Sequence, residues 1–302
     1  AGKEIAFMGK TYTVEEATFD SFKGIDIALF AGGSISKDFA PHAVKAGAVV
    51  IDNSSAFRMD PEVPLVVPEV NPQAILKHKG IIANPNCSTI IMVMALKPIY
   101  DLAKIKRVIV STYQAVSGAG KEGIDELDAQ VREHSEGREM TANILPSASA
   151  EKHYPIAFNL IPQIDVFCNN LYTKEEMKMV NETKKIMEDY EMRITATTIR
   201  VPVYRSHSES VNIELEKEVD LGAMREALAK FPGVTVQDDP SKQEYPMPLY
   251  TSEKDDVYVG RLRRDESCEK SYNMWVVGDQ IRKGAALNTL QIAETMIKNG
   301  WI

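Results

Sequence analysis

The sequence predicts an α/β chain of two textures: a layered parallel sheet first, then an α+β part on an antiparallel or mixed sheet. Before about residue 100, short and nearly continuous apolar runs recur at close intervals, as in strands buried on both faces. After about residue 105, the strand-like runs carry one polar face, as in a sheet covered on one side only. Long amphipathic helical stretches are interleaved among these later strands.

The elements follow in order. Residues 3–14, "KEIAFMGKTYTV", alternate on either side of Gly9-Lys10 and predict a hairpin. "IDIALFAG" (25–32) predicts a buried strand, and "SKDFAPHAVKAG" a helix with Ser36 as N-cap and Gly47 as stop. "AVVID", "PLVVPEV" and "GIIAN" predict further buried strands of a parallel, layered sheet. "KRVIVSTYQAV", "MRITATTIRVPV", "SESVNIELE", "VYVGRLRR" and "NMWVVGDQ" predict the one-sided strands. "GKEGIDELDAQVREH", "TKEEMKMVNETKKIMEDY" and "DLGAMREALAKF" predict the helices between them. The final "KGAALNTLQIAETMIKNGW" predicts a helix that packs back on the first part.

Bulk properties narrow the functional classes. With 302 residues, 44% of them hydrophobic, the chain can build sizeable cores. A formal charge of −8 argues against a nucleic-acid or anionic-membrane surface, both of which reward clustered Lys and Arg. Three cysteines without CxxC spacing fit neither a disulfide framework nor a zinc site, so no metal and a reducing, cytoplasmic setting are expected. No apolar run reaches the ~20 residues of a membrane span, and "AGKEIAFMGK" lacks the plan of a signal peptide.

Cys87 stands at a junction. In "IIANPNCSTIIMVMALKPI" (81–99) it follows a buried strand and opens a helical run. Unpaired backbone N–H groups and the helix dipole at that place favour negative charge. A free thiol has a pKa of ~8.5, so a helix N-terminus that lowers it supplies a nucleophile. The competing reading is a small buried filler. Cys168 and Cys268 lack this setting and read as core and surface residues. A thiol nucleophile needs a base. His42, His78 and His134 read as surface residues, whereas His153 and His207 both stand where loops meet strands, and the residues alone leave that choice open.

"GAGKEG" (Gly118 to Gly123) matches G-x-G-x-x-G, but it follows the polar "VSTYQAV" and comes after the layered region, not before it. It therefore reads as a glycine turn that can touch a ligand rather than a Rossmann fingerprint. Glu122 stands where a P-loop needs Ser or Thr. The nearest candidate for backbone contact with a phosphate or amide is "FAGGS", Phe30 to Ser34.

Taken together, "NPNCST", "STYQAVSGAGKEG", "HYPIAFN", "PQIDVF", "EEMKMVNETKKIM" and "RVPVYRSHSESV" resemble the aspartate-semialdehyde dehydrogenase family, and the similarity continues through "WVVGDQIRKGAALNTLQIAE". The resemblance implies an incomplete Rossmann-like dinucleotide-binding domain (1–86 and 281–302) and a catalytic, substrate and dimerisation domain (87–280). It also implies that the sequence begins after the family's first βαβ unit, with its glycine-rich turn. By resemblance, Cys87 is the acyl-thioester nucleophile, His207 the acid/base, and Gln114 the residue orienting substrate and thiol pair. Arg200 matches the grip on the substrate α-carboxylate and Glu175 the partner of its ammonium; Arg58 and Lys178 match the phosphate-binding positions. Ser117, Gly118 and Gln280 resemble cofactor contacts on the nicotinamide side, and Gly32, Gly33 and Ser34 an adjacent cofactor loop. Alone, Glu175 and Lys178 read as a surface i,i+3 salt bridge, and Arg58 or Arg200 as a solvated cation.

The implied reaction is the NADPH-dependent reductive dephosphorylation of L-aspartyl-4-phosphate in amino-acid biosynthesis, by a homodimer or homotetramer. A reductase of N-acetyl-glutamyl phosphate stands beside it, as does a folded dimeric remnant without dehydrogenase activity. A thiol hydrolase leaves Arg58, Lys178 and Arg200 unexplained.

Overall fold

The computed structural model describes residues 1–148 and 150–302. Strands β1 (Glu4–Phe7) and β2 (Lys10–Thr13) form an antiparallel hairpin, exposed along both strands. Its loop is Met8-Gly9, both at positive φ (48° and 75°), one residue earlier than the sequence suggested. Such paired left-handed residues match the twist of a two-residue hairpin.

Then come β3 (Ile27–Phe30), α1 (Ser36–Lys45), β4 (Val49–Asp52) and β5 (Ile81–Ala83), giving a parallel sheet in the order β3-β4-β5. Two expectations need correcting here. A 3₁₀ turn, Gly33–Ile35, leads into α1, so Ile35 is the N-cap and Ser36 lies inside the helix with its hydroxyl buried and unpartnered. "PLVVPEV" makes only an isolated bridge, Leu65 to Ala83, because Pro64 and Pro68 have no N–H to give a ladder. Gly47 stops α1, as expected, at a φ of +101°.

The second part begins with α2 (Cys87–Leu102), which is apolar around most of its circumference and almost wholly buried. It continues through β6 (Ile105–Gln114), α3 (Lys121–Ser135), α4 (Lys174–Ile186), β7 (Arg193–Arg200), β8 (His207–Leu215), α5 (Leu221–Lys230), β9 (Val234–Val236), α6 (Pro248–Thr251), β10 (Val257–Arg264) and β11 (Ser271–Gly278). A π-helical turn, Arg282–Ala286, runs into α7 (Leu287–Lys298). The six strands run β7-β6-β8-β11-β10-β9, with β6/β7 and β9/β10 parallel and the other pairs antiparallel, so the sheet is mixed.

Helix α2 supplies the centre of the main core: Ile90, Ile91, Val93 and Met94 join Val108 and Val110 of β6, Val211 and Ile213 of β8 and Met274 and Val276 of β11. Cutting such a side chain back to Ala would cost about 2–5 kcal/mol. Helix α7 packs Ile292 and Met296 against Ile51 and Ile82 of the parallel sheet and against Ile75 of the 3₁₀ turn Pro72–Lys77. On that face the cover reaches Ile27 but not Leu29, which is 48% exposed, so among the described residues β3 is the outer strand and is not covered on both faces.

This topology concentrates chemistry at one place. The register pairs Gln114 with Arg200 and His207 with Gly278, and neighbouring Tyr113 pairs with Ser208. The ends of β6 and β7, the start of β8 and the end of β11 thus form one row across the sheet, and α2 begins in the same region.

Candidate active site

Asn86 organises the helix start. It is the N-cap of α2: its side-chain oxygen accepts from the N–H groups of Ser88 at 3.1 Å and Thr89 at 3.3 Å. Its amide nitrogen donates to Glu175 Oε1 at 3.0 Å, and its backbone N–H to Glu182 Oε2 at 2.6 Å. One residue thus ties the first turn of α2 to two carboxylates of α4. Cys87 follows as the first residue of the helix.

The carboxylates are matched by cations. Arg58 is buried and donates Nε to the Asn84 carbonyl at 2.9 Å, Nη1 to Glu182 Oε1 at 3.2 Å and Nη2 to the Asn53 carbonyl at 3.0 Å. Lys178 Nζ reaches Glu175 Oε2 at 3.0 Å and Asp165 Oδ2 at 3.1 Å. The Glu175–Lys178 pair is therefore not a surface salt bridge, since Glu175 is only 5% exposed. Burial raises the Glu175 carboxyl, yet Lys178 and the hydrogen bonds from Asn86 and Gln114 hold it below the usual carboxylate range.

On the sheet, Gln114 donates Nε2 to Glu175 Oε1 at 3.1 Å and accepts at Oε1 from the Thr112 hydroxyl at 3.0 Å. Arg200 is buried; its Nη1 donates to the Ala115 carbonyl at 2.7 Å, while its Nε finds no partner. His207 is fully buried, and its Nδ1 accepts from the Ala115 N–H at 3.0 Å. That bond puts the hydrogen of the neutral ring on Nε2. The 3.4 Å approach of Nε2 to Gln114 Nε2 therefore sets two N–H groups side by side and is not a hydrogen bond. Burial, reinforced by Arg200, holds the imidazole well below its ordinary pKa, so it is neutral near pH 7.

The thiol reverses one sequence expectation. Burial and the Glu175 charge push Cys87 up to about 12, against the opposing pull of Arg58, the Ser88 N–H and Arg200. A helix N-terminus lowers a thiol pKa, but here desolvation and a neighbouring carboxylate outweigh it. The ligand-free protein holds a thiol at this position, not a thiolate, although part of the residue's surface is exposed.

Gly118 lies over the same cluster: a Cβ there would stand 2.7 Å from Arg200 Nη1 and 3.5 Å from His207 Nε2. The "GAGKEG" segment is thus a packing turn leading into α3, where a Cβ on Gly123 would strike the Val116 carbonyl at 2.5 Å. Gln280 is engaged internally, donating to the Ser117 hydroxyl and accepting from the Ser206 N–H at 2.8 Å. Among the described residues, Gly32, Gly33 and Ser34 make no hydrogen bond to this cluster. They form an exposed turn before α1 with Gly33 at a φ of +64°, offering backbone rather than side chains. An exposed glycine turn opening a helix fits contact with a dinucleotide. Ser117 and Gln280 fit only if they exchange their mutual bond for one to the ligand.

The sequence reading missed Asn86, Glu182 and Ala115. The first two left signals: Asn immediately before a helical run, and Glu175, Lys178 and Glu182 spaced along one helical face. Ala115 acts through its backbone and left none. His153 lies elsewhere, with Nε2 at 3.2 Å from the Ser147 carbonyl. Cys268 is exposed, as expected, while Cys168 is half-buried rather than core. Among the described residues no cluster of His, Cys, Asp and Glu suits a metal ion, and no helix is long and apolar enough to cross a membrane.

Residues 1–78 match the family model described as "Semialdehyde dehydrogenase, NAD binding domain", and residues 96–283 match "Semialdehyde dehydrogenase, dimerisation domain". Fold and matches define an oxidoreductase of the semialdehyde dehydrogenase class. An aspartate-semialdehyde dehydrogenase of Aquifex aeolicus is 57% identical, over 100% of this chain and 88% of that protein. One from Bacillus subtilis is 53% identical, over 99% of this chain and 87% of its own. A crystal structure of aspartate semialdehyde dehydrogenase II from Vibrio cholerae, 46% identical, superposes with a TM-score of 0.92 over 98% of this chain and 87% of that one. The chain belongs to the aspartate-semialdehyde dehydrogenase family.

Proposed function

We propose that this chain converts L-aspartyl-4-phosphate to L-aspartate 4-semialdehyde through a thioester on Cys87, using NADPH, in the cytoplasmic synthesis of lysine, threonine, methionine and isoleucine. The observation that carries the reading is the position of Cys87: first residue of α2, its charge coupled to Glu175, Arg58 and Arg200 at once. A solved relative from Vibrio cholerae is described as complexed with ASA, which supports the substrate class.

The residues divide the work. Glu175 takes the substrate ammonium and Arg200, with an unpartnered Nε, takes the α-carboxylate. Neutralising Glu175 removes one of the charges that keep the thiol protonated, so substrate binding itself favours attack. Cys87 attacks as the thiolate, its proton passing to His207 once that ring has given up the Ala115 bond. Sγ bonds to the acyl carbon as the acyl C–O bond breaks and phosphate leaves. Arg58 uses three of its five N–H donors internally and has the others for phosphate, while Lys178 must loosen its hold on Asp165. Asn86 holds the N–H groups of Ser88 and Thr89, so at the start of α2 the Cys87 N–H is the donor left for the developing oxyanion. When bound, the nicotinamide dinucleotide supplies a hydride. His207 donates directly from Nε2 as an acid; to act as a base it must first give up the Ala115 bond.

We assign residues 1–86 and 281–302 to the dinucleotide-binding domain and 87–280 to the catalytic one, supported by the packing of α7 on the parallel sheet. Gly32, Gly33, Ser34, Ser117, Gly118 and Gln280 face the cofactor in this reading. The mixed sheet and the matching dimerisation model support a homodimer or homotetramer.

Replacing Cys87 with Ala is expected to lower kcat by about a thousandfold or more while the melting temperature stays put. Turnover within tenfold of wild type in that variant rejects the assignment. N-acetyl-glutamyl phosphate, whose amine carries no charge for Glu175, is expected to be turned over poorly in the same assay.

A further inference from the structure

Between Gln280 and α7, residues 281–286 carry none of the roles given above. It is a π-helical turn, Arg282–Ala286, closed by Gly284 N–H to the Asp279 carbonyl at 3.1 Å and Ala286 N–H to the Ile281 carbonyl at 3.0 Å. Such wide turns are rare and recur at functional sites. Asp279 Oδ1 caps it, accepting from the N–H groups of Ile281 at 2.9 Å and Arg282 at 3.2 Å.

Glycine at 284 is not there for backbone freedom, because its φ is not positive. What it lacks is a side chain. A Cβ there would stand 3.0 Å from Cys87 Cβ, 3.3 Å from Cys87 Cα and 3.4 Å from Gln280 Cβ, where carbon atoms prefer about 3.5–4.0 Å. The preceding residue, Lys283, is 1% exposed and gives its ammonium to Glu69 Oε2 at 2.6 Å, Gln291 Oε1 at 2.7 Å and Asn288 Oδ1 at 3.0 Å. Asn288 in turn donates to Asn84 Oδ1 at 2.7 Å, inside the segment that leads to Cys87. The turn is thus anchored beside the very backbone it touches.

We infer that the π-turn is a positioning wall for the nucleophile: Gly284 abuts Cys87 and the buried Lys283–Glu69 pair holds Gly284 in place, fixing where the sulfur points. The inference rests on the nucleophile assignment above. A shift of a few tenths of an ångström at Cys87 moves the sulfur off its line of attack without touching Glu175 or Arg200, and displacement on the ångström scale can cost about a hundredfold in rate.

The test uses the full chain with Gly284→Ala, reading kcat, KM for the acyl phosphate, melting temperature and the rate of Cys87 alkylation by iodoacetamide. Expected are a fall in kcat of at least about tenfold, KM within about threefold of wild type, and an alkylation rate changed at least about fivefold. Unchanged kcat and alkylation overturn the wall. Should Gly284→Ala not fold, Glu69→Gln keeps an amide oxygen for Lys283 but removes the charge. A threefold or larger change in alkylation then supports the inference, and an unchanged rate overturns it. Cys87→Ala is run alongside: if it keeps turnover, the nucleophile assignment falls, whereas alkylation of Cys87 still reports on the wall by itself.

Discussion

Two turns in this molecule both end a parallel strand and open a helix, and they are built in opposite ways. After β5, the turn into α2 is buried among charges: Arg58 donates to Glu182 and to the Asn84 carbonyl, and Asn86 donates its side-chain amide to Glu175 and its backbone N–H to Glu182. After β3, the turn into α1 is exposed glycine and serine, with no side-chain cap at all. In the function proposed above, the first specifies a small polar ligand by fixed side chains and the second offers backbone to something larger. The contrast teaches where rigidity is stored: buried charges are costly to leave unpaired, whereas an exposed backbone turn carries little penalty.

The largest expected effect lies in the thiol itself. With Cys87 pushed up to about 12, the thiolate fraction in ligand-free protein rises about tenfold for each pH unit from 7 through 10. Its alkylation rate should follow that slope, and a plateau below pH 9 would show that the buried turn does not suppress the thiolate. Next comes Glu182→Ala, which strands Arg58 in a buried setting. It should cost about 3 kcal/mol in denaturant unfolding, since removing one partner of a buried pair leaves a charge uncompensated. A loss under 1 kcal/mol would make the buried turn no stiffer than the exposed one. Asn86→Ala removes the α2 cap and a donor to Glu175; about 1–2 kcal/mol is expected, with kcat/KM reduced more than tenfold. Stability lost with kcat/KM intact would separate the cap from the chemistry. The smallest effect belongs to the exposed turn. Gly33→Ala, at a φ of +64°, should cost about 1 kcal/mol and raise KM for NADPH but not for the acyl phosphate. A matching rise in both would mean that the two turns are not separate devices.

Much of this was legible in the chain, for identifiable reasons. Cys87 could be placed at a helix start because the apolar run after Asn86 has helical spacing and the run before it has strand character. The parallel-then-mixed order of sheets followed from one-sided and two-sided apolar patterns. "PLVVPEV" misled, because apolar content mimicked a strand while its two prolines removed the donors a ladder needs. Ser36 misled because a 3₁₀ turn had already begun the helix upstream. The thiol's ionisation was misjudged for a different reason. Helix position is local and readable, while Glu175, lying 88 positions along the chain, reaches Cys87 only through the fold.

The amino-acid order alone determined the alternation of elements, the residue types able to bind a carboxylate, an ammonium and a phosphate, and the one cysteine set at a strand-to-helix junction. These depend on periodicity and on chemistry carried by single residues or short spans. Only the tertiary structure decided that Ala115 would tether both His207 and Arg200, that the histidine hydrogen would sit on Nε2, and that Gly284 would stand against Cys87. The physical reason is range. Backbone contacts and desolvation depend on which segments meet, and no local pattern encodes a meeting between residues 87 and 284.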